Sequence, residues 1–212
     1  PFYDQIIEAG AVVMKKGEVI GSFREYCSME PHKMLSPDAY INNCVPIAEI
    51  KSGKKLREML IELDDFFHRI GPSIWFAHNG SFDFNHLSSG RFQNLISENF
   101  YPLKTNGSIL IDSLQLARSI HLFDPGAIEV EITEKGPIFR LESLCKNNHV
   151  QLQNAHAALD DSIALLELVS VMKKKSPTIF EDIIRFSQKK LAQERIASQI
   201  FSVVDIGYGT NI

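Results

Sequence analysis

The segment Asn154-Ala-His-Ala-Ala-Leu-Asp-Asp161 constrains the chain most, because it sets acids into a helix that otherwise belongs to a core. Downstream, Ile163, Ala164, Leu165, Leu168, Val171 and Met172 recur at helical spacing and predict an amphipathic helix from about Ala157 to Lys174. At about 100° per residue, Asp161 falls in line with Leu165, Leu168 and Met172. Asp160 points about a quarter-turn away, in line with Glu167, where water solvates it. A carboxylate on a buried stripe is costly unless an arginine, a lysine or a metal ion compensates it. His156 cannot share that face from five helical positions away, so it is expected in the entry turn, leaning over the site, with Asn154 as the cap. A capped helix carrying one salt-bridged acid fits the same residues.

Ahead of this segment, strand and helix patterns alternate. Ile6 to Met14 reads as a strand, Lys15-Lys16-Gly17-Glu18 as a hairpin turn, and Val19 to Tyr26 as the returning strand. Pro31, Pro37 and Pro46 break the pattern between Cys27 and Gly53, leaving room for a short helix near Pro37 to Asn42. Leu56, Met59, Leu60, Leu63, Phe66, Phe67 and Ile70 mark a helix closed by Gly71-Pro72, and a short buried strand follows from Ser73 to Ala77. The turn His78 to Asn85 opens a helix running to roughly Ile96. Asp83 stands at its start, near the strand's carboxyl end, where open sheets place their sites and where helix caps also occur. A strand from Ser108 to Ile111 leads into a helix opened by Asp112, read as its cap. Phe123 to Pro137 reads as a surface loop, and Phe139 to Leu144 begins a short helix. From Lys173 to Arg195, seven basic residues outnumber three acidic ones, the pattern of a solvated helical face.

Composition sets limits on function. The chain has 212 residues, 44% hydrophobic and 23% charged, enough for one core, or one domain plus part of another. A net charge of -4 supplies no global basic field for nucleic acid, although metal ions held by acids reverse the local sign where a phosphate approaches. The three cysteines, Cys27, Cys44 and Cys145, are too widely spaced for a disulfide framework or a zinc knuckle. No membrane-length apolar run or signal peptide is present, so a soluble, reducing, cytoplasmic setting is expected. Both ends read as cut: the first strand begins almost at Pro1, and Ile200 to Ile206 reads as a strand after which the chain stops.

Three pieces stand in a telling order: Asn79-Gly-Ser-Phe-Asp83 after a strand, Asp112-Ser-Leu-Gln-Leu-Ala-Arg118 after another, and His156-x-x-x-x-Asp161. This order resembles the DEDD-type 3′→5′ exonucleases of the histidine subclass. Gly136-Pro-Ile-Phe-Arg-Leu-Glu142, Lys146-Asn-Asn-His149, Asn154-Ala-His156 and Ser176-Pro-Thr-Ile-Phe-Glu181 are similar, within that family, to the bacterial exonuclease I group. The resemblance implies an α/β, ribonuclease H-like mixed sheet flanked by helices. It divides the chain into an exonuclease domain over residues 1–175 and, over 176–212, a helical linker with the entry to a barrel-like second domain. The family's first motif, Asp-x-Glu on the central strand, has no counterpart here, so the expectation is that this strand lies upstream of Pro1. On that expectation the 212 residues alone are inactive.

The resemblance also assigns roles. Asp83 and Asp161 correspond to ligands for two Mg2+ or Mn2+ ions, hard cations that prefer oxygen donors. His156 corresponds to the general base. Arg140 is the candidate for a substrate phosphate, Asn79 and Ser81 for the terminal nucleotide, and Phe82, Phe84 and Phe139 for base stacking. The implied partners are single-stranded DNA and, for the intact protein, a single-strand-binding protein, with no membrane. A proofreading or RNA-trimming exonuclease, and a non-catalytic nucleic-acid-binding module without the first motif, remain alternatives.

Overall fold

The computed structural model describes residues 5–35, 37, 45–96, 107–152 and 157–198. The helix expected near Pro37 to Asn42, the tail strand Ile200 to Ile206, Cys44, Asn154 and His156 lie outside the described residues. Strand β1 (Glu8–Lys15) turns at Lys16-Gly17 into β2 (Glu18–Tyr26), and the two pair antiparallel from Glu8 opposite Tyr26 to Lys15 opposite Glu18. Helices α1 (Ile47–Ser52) and α2 (Leu56–Ile70) follow, the second ended by Gly71 at φ 75°, a left-handed conformation that glycine adopts without strain. Strand β3 (Ile74–Ala77) leads through two turn residues into α3 (Gly80–Gln93), and β4 (Ile109–Asp112) leads into α4 (Ser113–Phe123). β3 and β4 run parallel, in the register Ile74 to Ile109 through Ala77 to Asp112.

The stretch expected as a loop between Phe123 and Pro137 instead holds most of a small antiparallel hairpin, β5 (Glu131–Thr133) with β6 (Gly136–Ile138). Its three-residue strands are too short to show an alternating pattern, and all of β5 is exposed. Then come α5 (Leu141–Asn147), α6 (Ala158–Lys175), α7 (Pro177–Phe186) and α8 (Lys189–Ser198). Ala157, with no side-chain cap, occupies the N-cap position of α6, the place expected for Asn154.

Two apolar clusters organise these elements. One joins Phe23, Leu56, Met59, Leu60, Leu63, Phe66 and Phe67 with Ala9, Ala11 and Val13 of β1, and with Trp75 and Leu110. The other joins Leu116, Ile120, Leu144, Leu165, Leu168 and Met172 with Phe76 and Phe180. Because side chains alternate along a strand, Trp75 and Phe76 put opposite faces of β3 into different clusters. α7 is packed into the second cluster, its Phe180 stacked on Phe76 with ring centroids 6.0 Å apart. The buried guanidinium of Arg91 pairs with Asp64 and ties α3 to α2. Cys27 and Cys145 are free and buried, and burial pushes both thiols up, to about 12 and about 11. Among the described residues no helix is long and apolar enough to cross a membrane.

Candidate active site

The β3–α3 turn is built around Asp112. Pairing of Ala77 with Asp112 brings that acid beside the turn, where its carboxylate accepts the backbone N–H groups of Asn79 at 3.0 Å and Gly80 at 3.1 Å. The same carboxylate caps α4 through the N–H of Leu114 at 2.9 Å. The cap reading of Asp112 holds, and its second role is one that sequence reasoning missed. Asn79 sits at φ 63°, ψ 47°, and its buried Oδ1 has no hydrogen-bond partner. His78 anchors the turn from the other side: Nε2–H donates to the Phe139 carbonyl at 2.8 Å, and Nδ1 accepts the Ser113 hydroxyl at 2.9 Å. Burial lowers the His78 pKa, in keeping with a neutral ring in that tautomer.

This turn delivers Asp83 into the first turn of α3. The residue is exposed, yet burial raises its carboxyl pKa to about 6, with Asp112 adding to the rise and His86 opposing it. A group is both wetted and crowded when it lines a concave surface, and Asp83 lines a cleft of about 530 Å³. Asp161 lines the same cleft from the first turn of α6. It is half-buried, on the stripe with buried Leu165, Leu168 and Met172, as the helical spacing predicts. β1 passes so close to the start of α6 that a Cβ on Gly10 would stand 2.4 Å from the Ala158 carbonyl carbon.

Glu8, His86 and Phe82 also border the cleft. Glu8 is bound to Arg24 at 2.9 Å, which neutralises it. Phe82 is 60% exposed, and its ring lies 4.2 Å from that of His86, whose Nδ1–H donates to the Phe82 carbonyl. Phe84 borders the cleft half-buried, whereas Phe139 packs away from it against the second cluster, beside His121 and Arg118. Ser81 is exposed at the start of α3. Arg140 is exposed at the N-cap of α5 and does not line the cleft, although its neighbour Leu141 does. Asp160, expected in open water, is half-buried.

Hard oxygen donors on one cleft, one of them a carboxyl destabilised by burial, suit a divalent cation better than a soft metal. Among the described residues there is no group of three or more His, Cys, Asp or Glu side chains set to hold an ion. Asp83 and Asp161 are the two aspartates that line the cleft.

Two aspartates, one on a strand-turn-helix and one on a later helix, line this cleft of an α/β fold, and the chain belongs to the RNase_T exonuclease family, whose model matches residues 1–169 and whose members are metal-dependent. It is 32% identical over 198 residues to the PolC-type DNA polymerase III of Staphylococcus haemolyticus, covering 91% of this chain and 12% of the polymerase. Its fold is the ribonuclease H-like fold of Escherichia coli exonuclease I. It superposes on that enzyme in complex with a dT13 oligonucleotide with a TM-score of 0.82 at 20% identity, over 91% of this chain and 42% of exonuclease I. A complex of exonuclease I with SSB-Ct superposes with a TM-score of 0.68 at 21% identity, over 78% of this chain and 36% of that one. The chain thus spans well under two thirds of each of these relatives.

Proposed function

We propose that the chain is the nuclease module of a metal-dependent 3′→5′ exonuclease acting on single-stranded DNA. The observation that carries this reading is that Asp83 and Asp161, far apart in sequence, line one cleft in a member of the exonuclease family. Asp83 and Asp161 would hold the Mg2+ or Mn2+ ions as part of a larger set of oxygen donors. When bound, two such ions stabilise both the attacking and the departing oxygen of the phosphodiester.

The residues of the chain do the rest. His156, one residue before the N-cap of α6, accepts the proton of the attacking water. Phe82, the exposed aromatic of the cleft, stacks on a base at the DNA terminus. Asn79 and Ser81, at the turn that opens α3, contact the terminal nucleotide. Arg140, outside the cleft, meets a phosphate further along the strand. The assigned partners of the intact, cytoplasmic protein are single-stranded DNA and a single-strand-binding protein, the latter because exonuclease I has been captured with SSB-Ct. The nuclease domain expected over residues 1–175 extends through α7, whose Phe180 belongs to the same core.

Identity to the PolC-type polymerase favours a second reading, a proofreading module. The intact protein carrying these residues, given 5′-labelled single strands and primer-templates with matched or mismatched 3′ ends, separates the two. Stepwise shortening of free single strands supports the first reading. Shortening confined to mismatched primer ends supports the second, and release of the 5′ label as a mononucleotide contradicts the 3′→5′ polarity that both readings share.

A further inference from the structure

Phe82 and His86 stand one helical turn apart on α3 and both line the cleft, so they meet on one face of the helix. Their ring centroids are 4.2 Å apart, with the ring planes inclined at 43°. The Phe82 carbonyl can only accept, so the His86 Nδ1 that meets it at 2.8 Å carries the hydrogen. That bond ties the imidazole back to the turn that carries Phe82, where it sits half-buried.

The Phe82 ring itself is open. It is 60% exposed, and among the described residues of the cleft it is the one exposed aromatic, since Trp75, Phe76 and Phe84 are half-buried and Phe67 is buried. An aromatic side chain on a helix surface ordinarily exchanges between rotamers, and ordering it on binding costs affinity. The imidazole beside Phe82 restricts that exchange before a ligand arrives. A ring held in place with its surface open suits a flat group, and a nucleobase is flat where a sugar or a phosphate is not.

Resting on the reading of this cleft as the seat of a DNA 3′ end, we propose that His86 is a positioning residue for the terminal base. It holds the Phe82 ring so that the base stacks on the open side, and it acts on the substrate through that ring alone. This corner of the cleft therefore selects for the presence of a base, and for a purine over a pyrimidine because the larger ring system covers more of Phe82.

The intact protein is titrated with single strands ending in 2-aminopurine, thymine or an abasic sugar, with a phosphorothioate as the last linkage so that binding is read without cleavage. The expected result is quenching of 2-aminopurine emission and tightest binding of the purine end. Neither side chain belongs to an apolar cluster, so variants at both positions keep the fold. His86→Ala should weaken binding of the 2-aminopurine strand about two- to tenfold. Phe82→Ala should weaken it about fivefold or more. Adding His86→Ala to Phe82→Ala should change nothing further, and neither variant should alter binding of the abasic end. On a cleavable strand, His86→Ala should raise KM by the same factor and leave kcat within about twofold. Equal binding of all three ends, or a His86→Ala effect that persists without the Phe82 ring or on the abasic end, would overturn the proposal. Normal degradation indifferent to both variants also overturns it and leaves the nuclease reading standing, whereas base-dependent quenching without degradation supports it and removes the nuclease reading.

Discussion

The Asp112 carboxylate accepts the backbone N–H of Asn79 across 3.0 Å, so an acid at the end of one strand sets the turn that delivers Asp83 from the neighbouring one. It also holds Gly80 and Leu114. Replacing it with alanine leaves three N–H groups without that acceptor. Asp112→Ala should therefore cost about 2 kcal/mol or more, read as a lower urea midpoint, with Asp112→Asn intermediate. Equal stability of Asp112→Ala and the parent would contradict this role.

Asn79 allows fold and activity to be separated. Its left-handed backbone suits glycine, and its Oδ1 is buried without a partner, so Asn79→Gly should leave stability within about 0.5 kcal/mol of the parent or raise it. Asn79→Ala should fall about 1 kcal/mol below the glycine variant, since its Cβ is strained in that backbone conformation. If Asn79 contacts the terminal nucleotide, the glycine variant of the intact protein should have a raised KM despite its stability.

The close approach of β1 to α6 gives a further prediction. A side chain at Gly10 would collide with the Ala158 carbonyl, main-chain atoms that cannot rotate away, so Gly10→Val should cost about 1–3 kcal/mol. Chemical denaturation measures the loss, and amide exchange should locate it at the start of α6.

These relationships differ in how far they could be read in advance. The helix Leu56–Ile70 and the stripe holding Asp161 were legible because apolar spacing of 3.6 residues is a local property. Asp83 at the mouth of a strand-turn-helix was legible for the same reason. The reach of Asp112 to Asn79 depends on the pairing of Ala77 with Asp112, and register between distant strands leaves no local mark. The distance of Arg140 from the cleft likewise depends on how α5 packs, and the β5–β6 hairpin is too short for its pattern to register.

Acid should weaken the fold through His78. Burial depresses its pKa in the folded state, so below about pH 6.5 the unfolded chain binds a proton that the folded chain refuses. The stability it contributes is complete above that pH and is lost as pH falls toward the folded-state value. His78→Gln should flatten the decline in urea midpoint between about pH 7 and pH 5. An unchanged slope would show that the ring does not titrate on unfolding.

The most direct measurement is metal-dependent degradation of 3′-terminal single-stranded DNA by the intact protein, in parallel with Mn2+ binding, for Asp83→Ala, Asp161→Ala and the double variant. Loss of the ions' charge stabilisation, several kcal/mol, predicts a fall in turnover of ~100-fold or more in each single variant, with weakened Mn2+ binding. Undiminished degradation and Mn2+ affinity in the double variant would contradict the account.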